Sequence, residues 1–213
     1  MTPTLNTRAQ DATLDIRTHV GLVEARKREN GDALPTLTGY AAVFGQETVI
    51  GGWFREIIDA GAFDEALARP DDVRAQFNHD ANRVLGRTTA KTLRLAIDDQ
   101  GLRYEIDLPE TSYAKDLAAS VERGDVSQSS FMFEVTGEKW EYPPRSSGEL
   151  PLRRVQNVKL YDVAPVTFPA YAGTSVSARA MELAADWREV VPLRPDPSAD
   201  LLLAELELDE AAG

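Results

Sequence analysis

From residue 14 the chain alternates, with Leu14, Ile16, Thr18 and Val20 on one side and Asp15, Arg17 and His19 on the other, the period of two that marks a half-buried strand. His19 falls on the polar side of that strand. After a charged stretch with turn residues, residues 37–44 repeat the strand pattern, and the two runs are expected to lie side by side as an antiparallel opening. Gly51-Gly52 punctuates the next stretch, and residues 62–68 read as a short helix stopped by Pro70. Strand character resumes at residues 73–79, where alternation places His79 on the apolar side with Val73, Ala75 and Phe77. Residues 92–97 and 102–108 form two further strands, joined by Asp98-Asp99-Gln100-Gly101, a composition typical of a hairpin loop. A helix follows: Thr111 or Ser112 is placed to cap it, Tyr113, Leu117 and Val121 recur every four residues, and Gly124 stands where a C-terminal cap belongs. Residues 126–135 and 155–166 predict two more strands, separated by Pro143-Pro144-Arg145-Ser146-Ser147-Gly148. Helical periodicity returns at residues 178–187.

No repeat of 20 to 50 residues is visible, so the many strands and few helices predict an α+β fold: an antiparallel β-barrel with peripheral helices. Residues 1–12 are expected to be a flexible N-terminal segment, 13–187 a single domain, and 188–213 an acidic tail.

Composition narrows the chemistry. With 213 residues, 43% of them hydrophobic, the chain can fill a core and is not disordered throughout. Its 23 basic and 35 acidic residues leave a net charge of −12, which argues against direct binding of nucleic acid. From Pro195 onward stand Asp196, Asp200, Glu205, Glu207, Asp209 and Glu210 with no base, half of the net charge. The leucines among them, at 201–203, 206 and 208, suit either a short amphipathic helix docking on a partner or a weakly ordered tail. Without cysteine there is no disulfide, thiolate nucleophile or zinc-thiolate site. No apolar run reaches the roughly 18 residues of a membrane span, and residues 1–10 lack the apolar stretch of a signal peptide, so a soluble intracellular protein is expected.

Two histidines, His19 and His79, are the only imidazoles in the chain. Residues 127–130 hold three serines at the exit from a helix into a strand. In a regular strand Ser127, Ser129, Phe131, Phe133 and Val135 share the core face, and Ser130 points the other way with Gln128, Met132 and Glu134. A serine becomes a nucleophile when a general base takes its proton, and His79 is the better placed of the two bases. The imidazole in turn needs a carboxylate to fix its tautomer. Asp162 interrupts the apolar face set by Val158 and Leu160 and wants a partner there, though a turn cap or an ion pair with a base explains it equally. Asp80 ranks second, because neighbours on a strand point to opposite faces. The basic pair Arg153-Arg154 is a candidate for steadying an oxyanion, or simply exposed charge.

Four segments occur together in order: Gly39-Tyr40-Ala41-Ala42-Val43-Phe44, Phe77-Asn78-His79-Asp80, Gly124-Asp125-Val126-Ser127 through Phe133, and Asp162-Val163-Ala164-Pro165-Val166-Thr167-Phe168-Pro169-Ala170-Tyr171. In these the chain resembles, over about residues 37–178, the tailed-phage prohead proteases, serine peptidases with a fold like that of the herpesvirus capsid-maturation protease. The resemblance implies Ser130 as nucleophile, His79 as general base and Asp162 as the third member, with no cofactor and no metal. It also implies the substrates: the scaffolding segment of the major capsid protein and the protease itself, cleaved inside the immature capsid in the host cytoplasm. Homodimerisation follows by analogy with the herpesvirus enzymes. The sequence departs from the family at Gln128 and Met132, where small residues are common, and at Asp162, where many members carry glutamate. The rival expectation is a scaffold or internal capsid component that kept this fold and lost hydrolysis; a protease shortens its partner or itself, whereas a scaffold leaves with its length unchanged.

Overall fold

The computed structural model describes residues 14–19, 23–27, 34–69 and 71–168, with the side chains of residues 18 and 19 outside the description. The expected helix at 178–187, the acidic tail and the N-terminal segment 1–12 lie outside the described residues. Within them the chain forms β1 (Asp15–His19), β2 (Glu24–Arg26), β3 (Thr36–Val43), β4 (Thr48–Ile50), β5 (Phe54–Ile58), α1 (Asp64–Ala68), β6 (Arg74–Gln76), β7 (Val84–Arg87), β8 (Leu93–Ile97), β9 (Gly101–Asp107), α2 (Ser112–Arg123), β10 (Gln128–Glu141) and β11 (Leu152–Val166).

Among the described residues the strands make two open sheets, and the expected antiparallel barrel is not formed. One sheet runs β1-β10-β11-β5-β4, with β6 also on β11 and β7 on β6; the other runs β2-β3-β9-β8. The reason lies in β11. Its 15 residues are matched along one side by β10, but on the other side they meet β5 near one end and β6 near the other, both parallel. The sheet is therefore mixed, and among the described residues β1 and β4 stand at its edges. The opening strands also part company. β1 pairs with β10, whereas β3, buried along most of its length, takes β2 and β9 in the other sheet.

Between the sheets lies the main core, which includes Leu37, Tyr104, Ile106, Phe63, Phe131, Phe133, Val158 and Leu160, and a smaller cluster gathers Ile50 and Phe54 with Trp53 and Trp140. Phe131 stacks on Phe133 with centroids 4.6 Å apart and meets Phe63 edge-on at 5.6 Å, so the strand that carries Ser130 is held from its core side by aromatic packing. Helix α2 buries Ala114, Leu117, Ala118 and Val121 and ends at Gly124, whose φ of 83° is the left-handed value that glycine adopts at no steric cost. Thr111 occupies the N-cap position but makes no side-chain cap bond. The β8-β9 hairpin forms as predicted, its loop closed by Asp98 Oδ1, which accepts the amides of Gln100 at 2.9 Å and Gly101 at 3.1 Å.

A buried charge cluster ties β1 to the rest of its sheet. Arg17 donates to Glu56 through Nε at 2.5 Å and Nη2 at 3.0 Å, and Arg153 reaches Glu56 at 3.1 Å, Glu138 at 2.7 Å and Asp15 at 3.5 Å. Burial pushes the Glu56 carboxyl up, but the Arg17 guanidinium, then Arg153, outweigh it and hold the group below the ordinary carboxylate range.

Candidate active site

Three chain segments converge on one point. Ser130 enters from the third position of β10, His79 from the turn between β6 and β7, and Asp162 from β11. His79 Nε2 lies 2.7 Å from Ser130 Oγ, and His79 Nδ1 lies 2.7 Å from Asp162 Oδ1. A carboxylate only accepts, so Nδ1 is the donor of that pair, and the tautomer with its proton there presents the Nε2 lone pair to the serine. Ser130 is 0% exposed and Asp162 4%, so water competes little for either bond.

The reason Asp162 faces Ser130 is a β-bulge. Met132 pairs with Asp162, yet Phe133 pairs with Leu160, which leaves Tyr161 as an extra residue on β11. Residues opposite one another on neighbouring strands share a face. Leu160 therefore sits with Phe133 on the core side, while Asp162 sits with Met132 on the side of Ser130. Strict alternation from Val158 and Leu160 puts Asp162 on the core face; the extra residue turns it over. The burial pattern agrees, since Val163 belongs to the core with Phe131, its partner across the strands.

His79 is placed by a turn rather than by the strand expected through residue 79. β6 ends at Gln76, and Asn78 and His79 both take left-handed φ values, 56° and 57°. Each such residue costs roughly 1–2 kcal/mol relative to the right-handed region, a strain found where the surrounding structure dictates it. The turn is closed by Phe77 N–H donating to Arg83 O at 3.1 Å and by Asp80 N–H donating to Phe77 O at 3.1 Å, and it is joined to β11 by Asn78 N–H donating to Pro165 O at 3.1 Å. Asp80 turns away to accept the backbone and side-chain N–H groups of Asn82 at 2.9 and 3.0 Å, which hold its carboxyl below the ordinary range.

The other candidates separate. Ser129 points to the core side, where its hydroxyl lies 2.8 Å from that of Tyr104, whose burial raises its pKa. The His19 side chain is outside the described residues; its backbone pairs with Ser129. Arg153 is committed to the buried cluster and pairs across the strands with Trp140, ten residues along β10 from Ser130 or about 30 Å at strand rise. Arg154 pairs with Asp59 at 2.6 Å. Neither reaches an oxyanion at Ser130. Two participants escaped the sequence reading. The Arg17 backbone carbonyl lies 2.8 Å from Ser130 Oγ as a second acceptor for the hydroxyl proton, and a backbone acceptor leaves no mark in sequence. Asn78 did leave one: asparagine is enriched several-fold at positive φ, so an Asn before the His argues for a turn.

Among the described residues no cluster of three histidines and carboxylates is arranged to hold a metal ion. The family model described as caudovirus prohead serine protease matches residues 22–186, a span that contains all three converging side chains and starts after β1. Among solved structures, that of the bacteriophage T4 capsid assembly protease, gp21, is similar at a TM-score of 0.47 with 14% sequence identity, covering 74% of this chain and 98% of that one. Among curated proteins none matches the sequence.

Proposed function

The chain belongs to the caudovirus prohead serine protease family, and from that premise we propose that it is a serine endopeptidase of capsid maturation in which Ser130, His79 and Asp162 carry out the chemistry. The single observation that supports this reading best is the unbroken relay from Ser130 Oγ to His79 Nε2 and from Nδ1 to Asp162 Oδ1, at 2.7 Å in each step. In the proposed reaction Ser130 attacks the scissile carbonyl while His79 takes its proton. Asp162 steadies the imidazolium that results, and His79 returns the proton to the leaving amine. Water then releases the acyl group by the same path. The Ser130 hydroxyl has one proton and two acceptors within reach, Nε2 and the Arg17 carbonyl, so attack requires the β1 carbonyl to give up its share.

The proposed substrates are the scaffolding segment of the major capsid protein and the protease itself, within the immature capsid. The test is co-expression of the full chain with that capsid protein, with products read by intact mass. Cleavage is expected with the native chain, and full-length capsid protein with Ser130→Ala or His79→Ala. Undiminished cleavage by either variant overturns the assignment.

A further inference from the structure

His79 and Asp162 are joined by a second bridge beside their own hydrogen bond. Asn78, the residue before His79, donates from Nδ2 to Thr167 Oγ1 at 3.0 Å, and its Oδ1 accepts the Thr167 backbone N–H at 2.8 Å. Thr167 lies one residue past the end of β11 and five past Asp162. One amide side chain thus engages both a backbone donor and a side-chain acceptor of the same residue, and its own N–H holds Pro165 O. The strand ladder does little here, since β6 pairs with β11 only through Arg74 and Ala75. Two consecutive left-handed residues need an outside constraint to keep them so, and this amide supplies one.

We propose that Asn78 is a positioning residue, clamped to Thr167 so that the His79 imidazole stays within bonding distance of both Ser130 and Asp162. The proposal rests on the reading of His79 as general base. Three side-chain features of Asn78 serve it together: tolerance of left-handed φ, a donor and an acceptor. Glycine keeps the first and lacks the others, while aspartate keeps the acceptor and loses the donor.

The full-length chain is treated with a fluorophosphonate probe that acylation-type serines attack, and intact mass follows the maximal labelling rate and the probe concentration for half of it. Asn78→Gly is expected to lower the maximal rate about 10- to 100-fold, the scale of a small misplacement of a reacting group, with the half-saturating concentration unchanged. Thr167→Val, which removes one of the two bonds, lowers it roughly 3- to 10-fold; Thr167→Ser restores it to within about twofold. Thr167 is exposed, so Thr167→Val folds and decides the matter even where Asn78→Gly does not. The His79 Nδ1 proton resonance is expected to broaden in both clamp variants while the melting temperature of Thr167→Val is kept. If both label at the native rate while His79→Ala is inert, the clamp is wrong and the base assignment stands. If His79→Ala labels at the native rate, the base assignment falls and the clamp with it.

Discussion

Replacing Asp162 by asparagine changes one atom and keeps the shape, which makes it the sharpest probe of the relay. The bond from His79 Nδ1 to Asp162 Oδ1 is 2.7 Å long and charge-assisted, and such bonds contribute about 1.5–3 kcal/mol. Its loss alone corresponds to a rate reduction of roughly 10- to 150-fold. The larger effect is on the tautomer. An amide that turns its NH₂ toward Nδ1 moves the imidazole proton to Nε2, where it points at Ser130 Oγ and leaves no lone pair to receive the serine proton. The hydroxyl then donates to the Arg17 carbonyl at 2.8 Å, an acceptor that cannot carry the proton on to a leaving amine. Asp162 is 4% exposed and water does not take its place, so the total loss is expected to approach the roughly 10⁴-fold seen when the acid of a Ser-His-Asp triad becomes an amide. The assay is the fluorophosphonate labelling rate of Asp162→Asn beside native chain and Ser130→Ala, with calorimetry to show that the fold is intact. Labelling within about tenfold of native, at an unchanged melting temperature, would refute the role of Asp162 in setting the tautomer.

A methyl group on Gly39 would lie 2.6 Å from the Tyr104 hydroxyl and 2.8 Å from its ring carbon Cζ, beneath the Ser129 contact, so Gly39→Ala should destabilise the fold by about 1–3 kcal/mol in urea unfolding; an unchanged midpoint contradicts the packing described. Gly124→Ala meets no neighbour within 4 Å but keeps a φ of 83°, so a loss of about 1–2 kcal/mol from backbone strain alone is expected in the same assay, and none if the helix ends elsewhere. The Glu56 carboxyl is held below its ordinary value in the folded state, so its stabilisation is complete above about pH 4.5 and is lost as pH falls through the lowered value. Urea midpoints taken downward from pH 6 should fall in the native chain below about pH 4.5 and less steeply in Glu56→Gln. At pH 7 that variant, which leaves Arg17 and Arg153 short of a buried partner, should lose about 3–5 kcal/mol; native stability there would show that the cluster does not hold β1.

That Ser130, His79 and Asp162 meet was legible only in part: histidine alone is scarce in this chain, whereas with 35 carboxylates and many serines it is the family resemblance that singles out Ser130 and Asp162. Two histidines left two candidate imidazoles, of which His79 was the better placed, and the aromatic pair Phe131 and Phe133 marked which side of its strand Ser130 leaves. What alternation could not supply was the direction of the other two. His79 was read onto a strand that stops at Gln76, since Phe77 continues the apolar period although Asn78 breaks the backbone conformation. Asp162 was read onto the core face of β11, since composition carries no sign of the bulge at Tyr161 that reverses it. Sheet closure failed for a related reason: periodicity says that a residue is in a strand and which neighbours share its face, but partner and direction depend on tertiary contacts. β11 has a period compatible with antiparallel neighbours throughout, and it takes two parallel ones. Both local errors thus concern places where the regular period is broken, and both breaks stand at the site. One extra residue on β11 and two left-handed residues after β6 are what bring the Asp162 carboxylate and the His79 imidazole to Ser130, so the irregularities that defeat pattern reading are the same ones that make the three side chains converge.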